Sequence, residues 1–532
     1  FIIELLLLEN HLATMKLSFF QFIFSLAIIS TDLITPVAVF ANYGNSLSEI
    51  SLNVNEEKTD TAFFSSISMP QYHVKRNYTI PLSLKSVLFN NIELQDRLIL
   101  SISPNGDTIR PGDTVFIEPG VRNSFLRITN LKGSSEKPIV VINGPGKVII
   151  HNEDKGGGMA FRNCEYIHFT GTGDIRTNYG ILIDTTYIGA TGLGIEELSN
   201  HFEIDHVEIC NTGFAGLMVK TDPSCDSTTW QSHFEMRDIR IHRNYIHNTR
   251  GEGMYIGFSK PGLYEKKCSA FPIKVSAHRI KNLKIYNNVV TKTGFDGIQI
   301  GCATENIEVY NNEISYFGQR CDKDGKYYGM TGIVVGGGSS GAYYKNRITD
   351  GMGSAFQIFG EGDIFLFDNM IIRAGQAAYC SEIEVSPSSI FGDDRTDHNG
   401  YSVFIFNNTI IDPPGKAIDF RNLNHKKNII VNNLIVNQTA NNPSASENAG
   451  KIIVKEINET AVEGNIILTN DIKKNITNNL DELFRNRKSD DYRLTKAGQT
   501  KLKGSSYKSA KVDKLKVEGI EHVKIGEVVG IQ

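Results

Sequence analysis

The sequence holds one tryptophan, Trp230, among 532 residues, and its seven cysteines form no Cys-x-x-Cys pair. The missing pair leaves no zinc-finger or thioredoxin-type spacing. Neither sign of charge dominates: 55 Lys and Arg stand against 59 Asp and Glu, a formal net charge of −4. A basic surface for nucleic acid and an acidic disordered chain are both excluded by that balance. Beyond the leader described next, the chain shows no helical period, so a helical bundle is excluded too. One apolar run stands out near the start, FFQFIFSLAII (19–29). It follows Met15-Lys16 and leads to Val39-Phe40-Ala41, a small-residue cleavage pattern. The expectation is a secretory signal cleaved after Ala41, with residues 1–14 upstream of the start. The run is short for a bilayer, so no membrane span is expected in the mature chain. The protein is then secreted, whether to the periplasm, the cell surface or the medium. In an oxidising compartment Cys225 with Cys268, or Cys302 with Cys321, can staple neighbouring loops. Buried thiols are the alternative for all seven, which include Cys164, Cys210 and Cys380.

What is present is repetition. IYNNVVTKTGFDGIQIG (285–301) has a close copy in IHRNYIHNTRGEGMYIG (241–257) and further ones in YYKNRITDGMGSAFQIFG (343–360), IFNNTIIDPPGKAIDF (405–420) and IIVNNLIVN (429–437). The aligned asparagines are 244, 288, 312, 346, 369, 408 and 433, with Val207 in the corresponding place upstream. Each unit has short β-rich runs punctuated by Gly or Asn, too small to bury an apolar face alone. Stacked units can do so. The pattern predicts an all-β protein, a right-handed parallel β-helix over 96–470, with coils about 4.8 Å apart. Residues 42–95 are expected to form an N-terminal extension or cap, and 471–532 a C-terminal cap or small appendage. The Asn column is expected to be structural: Asn tolerates left-handed backbone at a turn, and stacked Asn side chains form a ladder.

The stretch PGDTVFIEPGVRNSFLRITNLKGSSEKPIVVINGPGKVII (111–150) resembles the opening coils of secreted β-helix polysaccharide lyases of the chondroitinase B and alginate lyase type. In that family a Glu-x-Glu strand supplies calcium ligands, a Lys follows closely and an Arg lies about a coil later. GEGMYIGFSKPG places Glu252 and Lys260 in that pattern, with Arg279 a coil on. Met254 stands in place of the second Glu, and the Lys is one position late. DYRLTKAGQTKL (491–502) resembles the closing phrase of such helices, without its Ser-Pro.

Because stacking uses the interior, chemistry belongs to outward faces and inserted loops. Insertions at 222–235, 258–278, 316–330 and 381–401 are expected to wall a groove for a polysaccharide, with Trp230, Tyr264, Phe271, Tyr327 and Tyr328 as stacking surfaces. Aligning the Gly-rich steps gives two columns: Ala215, Glu252, Asp296, Thr331 and Ser354, then Met218, Tyr255, Gln299, Val334, Gln357 and Asp419. Glu252 and Asp296 become neighbours, as a glycoside-hydrolase acid pair, calcium ligands, or turn acids capping backbone amides. A β-eliminating lyase instead needs a cation to neutralise a uronate and a base to take its α-proton. Arg250, Tyr255, Lys260, His278 and Arg279 are the candidates, with Gln299 and Gln357 on the substrate side. FGDDRTDHNGY (391–401) and CDKDGKYYG (321–329) are acidic turns outside EF-hand order, and GGGSSG (336–341) lacks the Lys-Ser/Thr of a phosphate loop. Three functions stay open: a lyase of acidic glycans, a glycoside hydrolase, and a non-catalytic glycan-binding scaffold, each as a monomer.

Overall fold

The computed structural model describes residues 77–82, 86–88, 109–269, 271–320, 329–375, 388–392, 401–421, 428–437, 448–455, 460–469 and 480–498. Three long sheets run the length of these residues, with 13, 12 and 12 strands, and each turn of the chain contributes one strand to each. We call them sheets I, II and III in the order a single coil meets them. One coil shows the plan: Ile280–Tyr286 lies in sheet I, Val289–Thr293 in sheet II and Ile298–Ile300 in sheet III. Each strand pairs in parallel with its equivalents one coil before and after. This is a parallel β-helix.

The first strand of sheet I, Asn77–Ile80, pairs with Thr114–Ile117. The helix therefore starts within the stretch expected to be an extension, because NYTI alternates exposed and buried residues as an edge coil requires. The signal segment, its cleavage point and the Lys-rich C-terminus lie outside the described residues. Among the described residues no helix is long and apolar enough to cross a membrane.

From Leu217–Val219 to Phe356–Ile358 the sheet III strands are three residues long, with outer residues inward and the middle one outward, as in Met254-Tyr255-Ile256. The interior is filled by aliphatic columns such as Ile246, Val290, Ile314 and Ile348, all fully buried. Glycine fits where the chain turns into sheet III: a Cβ on Gly297 would lie 2.6 Å from the Gly332 carbonyl oxygen one coil on. The same close approach holds at Gly158, Gly192, Gly216, Gly253 and Gly332, which explains the Gly before six successive strands.

Between sheets I and II the Asn column forms a ladder. The Asn312 side-chain oxygen accepts from the backbone amide and the side-chain amide of Asn288, at 3.1 and 3.0 Å, and the same pattern runs from Asn244 to Asn465. The left-handed residue is the one before each ladder Asn: Arg243, Asn287, Asn311, Lys345, Asp368, Asn407 and Asn432, at φ 53–56°. The expected division of labour thus changes. The preceding residue turns the chain, and the Asn itself closes buried hydrogen bonds.

The C-terminal hairpin, Phe484–Asn486 with Asp491–Leu494, lies against the flank of the helix. Its Phe484, Tyr492 and Leu494 cover outward apolar residues of sheet II, including Met370, Ile372 and Ile411. Arg373 ties it down, reaching Asp350 at 2.6 Å and Asp490 at 2.8 Å.

The ladder should carry stability. Asn312→Ala strips the buried Asn288 backbone amide of its acceptor, at a cost of about 1–3 kcal/mol, and removes one of the three acceptors of the Asn288 side-chain amide. Thermal unfolding should show a clearly lowered midpoint for Asn312→Ala and an unchanged one for the exposed Ser232→Ala.

Candidate active-site groove

Sheet III carries insertions on both margins. At its exit lie Asp226–Trp230 and the antiparallel pair Tyr264–Cys268 and Phe271–Val275. At its entrance lies the 316–330 segment, of which 321–328, with Tyr327 and Tyr328, fall outside the described residues, as do 376–387 and 393–400. The floor is the outward column Met218, Tyr255, Gln299, Val334, Gln357, Phe391 and Asp419 in unbroken register. Phe391 is an addition to the expected column.

Ala215, Glu252, Asp296, Thr331 and Ser354 also stack. The amide of Gly216 donates to the Glu252 carbonyl, that of Gly253 to Asp296, that of Gly297 to Thr331 and that of Gly332 to Ser354, each at 2.8–2.9 Å. Glu252 and Asp296 are therefore one coil apart at the entrance margin, 8% and 3% exposed. The Thr331 amide donates to Asp296 Oδ1 at 2.7 Å. Gly329, at φ 63°, passes so close that a Cβ would lie 2.5 Å from Asp296 Oδ2. Glu252 Oε2 is buried without a hydrogen-bond partner.

Burial, then the nearby Glu252 charge, pushes the Asp296 carboxyl up to about 8, against the pull of the Thr331 amide. Glu252 is also raised by burial, with the Lys220 charge acting the other way. Two carboxyls so placed hold a proton near neutrality. As calcium ligands they are a poor fit, because calcium takes six to eight oxygens. Among the described residues no third carboxylate, His or Cys closes on the pair.

Around the pair, Lys220 Nζ sits 4.3 Å from the Tyr255 ring centroid and 3.0 Å from Asp222. Ser259 Oγ links Tyr255 Oη and Gln299 Nε2, each at 2.7 Å. Gln357 accepts from Thr331 Oγ1 at 3.1 Å. Lys220 escaped the sequence reading; the signal was its place directly after the sheet III strand Leu217–Val219.

Of the lyase candidates, Tyr255 lies on this floor and the others do not. Lys260 is exposed in the exit loop. Arg279, at the corner into sheet I, donates to the Pro261 carbonyl at 3.1 Å. Both occupy the margin opposite the carboxylates. Arg250 is exposed on the turn before Glu252. His278 is fully buried; its Nε2 accepts from the Thr221 amide at 3.0 Å and its Nδ1 faces the Arg279 carbonyl at 3.2 Å, so neither nitrogen is left for a ligand. Burial holds it down to about 4. Trp230 donates to the Ser224 carbonyl at 2.8 Å within its own loop, and Tyr264 stacks on Phe258 at 5.1 Å. Phe271 is 78% exposed. Cys225 and Cys268 form a disulfide, with Cα atoms 5.6 Å apart, joining the Trp230 loop to the hairpin. Cys164, Cys210 and Cys302 are free and buried. Cys321 and Cys380 lie outside the described residues.

No family model and no curated protein matches the chain. Among solved structures it is similar to a GH136 lacto-N-biosidase from Eubacterium ramulus, with 14% identity and a TM-score of 0.43 over 74% of this chain and 68% of that one. It is similar also to pectate lyase Pel9A, with 14% identity and a TM-score of 0.39 over 74% and 80% of the two chains. A third is an alginate lyase from Paenibacillus sp. str. FPU-7, with 14% identity and a TM-score of 0.37 over 67% and 94%.

The raised Asp296 group makes stability depend on pH. Between its ordinary value near 4 and about 8, the folded chain holds a proton that the unfolded chain has released. Stability contributed by that proton is complete below pH 4 and is lost as pH rises through 8. Melting curves of Asp296→Asn should therefore fall less than those of the unaltered chain between pH 5 and pH 8, tested as roughly these two points.

Proposed function

We propose that this chain is a carbohydrate-active β-helix protein that hydrolyses glycosidic bonds in the groove over sheet III. The observation that carries the reading is the Glu252–Asp296 pair, two carboxyls one coil apart with the Asp296 proton retained to about 8. A carboxylic acid held neutral near pH 7 is what protonation of a leaving glycosidic oxygen requires, and a second carboxylate beside it serves as nucleophile or base. Glu252 Oε2, buried without a partner, is the acceptor a sugar hydroxyl or an attacking water would satisfy. Tyr255 and Gln299 on adjacent coils, and Gln357 two coils further on beyond Val334, offer hydrogen-bonding groups along the floor, suited to an extended polymer. The Cys225–Cys268 disulfide supports export to an oxidising compartment.

One observation favours the lyase reading: Lys220 lies against Tyr255, a cation for a uronate carboxylate beside a phenol that can take its α-proton. The two reactions leave different products. Incubation of the purified chain with neutral and uronic-acid polysaccharides should release reducing ends without the ultraviolet absorbance of unsaturated ends. Glu252→Gln and Asp296→Asn should each lower the rate by about 10²–10⁴-fold, while Lys260→Ala and Arg279→Ala stay within a few-fold. Unsaturated ends abolished by Lys220→Ala or Tyr255→Phe would move the assignment to elimination. Silence across the panel would leave the scaffold reading.

A further inference from the structure

A second cluster of reactive side chains lies on the outward face of sheet I, apart from the groove. His168 stands beside Glu203 in the strand register, Asp205 beside His242, and Glu203 beside Arg240, so three successive coils meet at one spot. His168 Nε2 is 2.6 Å from Asp205 Oδ2, and His242 Nε2 is 2.9 Å from Glu203 Oε1 and 4.0 Å from Asp205 Oδ2. Ligand atoms of His168, Glu203 and Asp205 all lie within 4.8 Å of one another. We propose that His168, Glu203, Asp205 and His242 bind a divalent transition-metal ion of the zinc class, clamping these three coils together.

The geometry fits that class of ion. Tetrahedral donors at metal bonds of about 2.0–2.1 Å are separated by about 3.3 Å, and the observed separations fall on either side of this value. Two imidazoles with two carboxylates select zinc-like ions over calcium or magnesium, which take oxygen alone. The donors are also held in place, as ligands of a built site are. Asp205 Oδ1 accepts from Thr170 Oγ1 at 2.6 Å and faces His206 Nδ1 at 2.5 Å, which leaves Oδ2 toward the two histidines. The His242 ring stacks on Tyr286 with centroids 4.6 Å apart. His168 and Asp205 are largely buried, whereas the Glu203 side chain is 26% exposed and opens a route for the ion. A pocket of about 520 Å³, lined by Arg240, Lys284 and Tyr286 among others, adjoins that route.

Two cations work against the site. Arg240 is 3.6 Å from the other Glu203 oxygen. Arg243 lies 3.4 Å from His242 Nδ1, which must carry the proton once Nε2 is a ligand, so this exposed guanidinium has to swing away.

The test is a titration of the full chain with zinc and, separately, with calcium, followed by calorimetry and thermal melting. The expected result is one zinc per chain, no calcium at this site, and a melting temperature raised by zinc. His168→Ala, His242→Ala and the shape-preserving Glu203→Gln should each weaken zinc binding at least tenfold and remove the thermal gain. Cobalt in place of zinc should show the intense visible bands of tetrahedral coordination. The proposal is overturned if the unaltered chain takes up no zinc, or if stoichiometric zinc survives in a folded His168→Ala/His242→Ala double variant. Either of those results would leave a metal-free histidine–carboxylate network. Groove activity is a separate readout and decides nothing here.

Discussion

The structure depends on one constraint: each coil must sit at hydrogen-bonding distance from the next along all three sheets. With strands about 4.8 Å apart, every residue is set against its equivalents, and its chemistry is decided by what the neighbouring coils place there. The buried Asn ladder enforces the spacing where sheet I turns into sheet II, since each rung needs the next to accept from it. Glycines enforce it at the entrance to sheet III.

The same constraint explains side-chain behaviour far from the ladder. Tyr286, Tyr310 and Tyr344 stack with centroids 5.0 Å apart because they end equivalent strands of sheet I. The Glu252 charge raises the Asp296 carboxyl for the same reason, although the two stand 44 positions apart in the sequence. Columns of like residues are cheap where they stack or share hydrogen bonds and costly where they carry charge. A buried carboxylate column is therefore a place where a function has to be sought.

Much of this was legible in the sequence because the repeat is explicit between residues 204 and 437. The Asn column and the two columns at the entrance and floor of sheet III follow from aligning short phrases, whereas Cys225–Cys268 was one of two pairings that the sequence left open beside buried thiols. Phe391 was missed because it lay inside the stretch 381–401 expected to be an insertion, where the chain instead returns to sheet III as the strand Ser388–Gly392. The first coil at Asn77 was missed because a single edge strand carries no repeat. Sequence spacing placed Lys260 and Arg279 near Glu252, but the short strand Met254–Ile256 separates them across the width of sheet III. Pattern alone does not say which margin a loop residue occupies. The histidine–carboxylate cluster was invisible for a related reason: His168 and Asp205 are 37 residues apart, in coils whose phrases match the repeat poorly.

The central functional claim is that Asp296 keeps its proton near neutrality. The most direct measurement is a pH titration of the side-chain carboxyl carbons by nuclear magnetic resonance, in the unaltered chain and in Asp296→Asn. The account predicts one aspartate signal that titrates close to 8 and disappears in the variant. If every aspartate titrates in the ordinary range around 4, the pair does not hold a proton and the hydrolytic reading loses its basis.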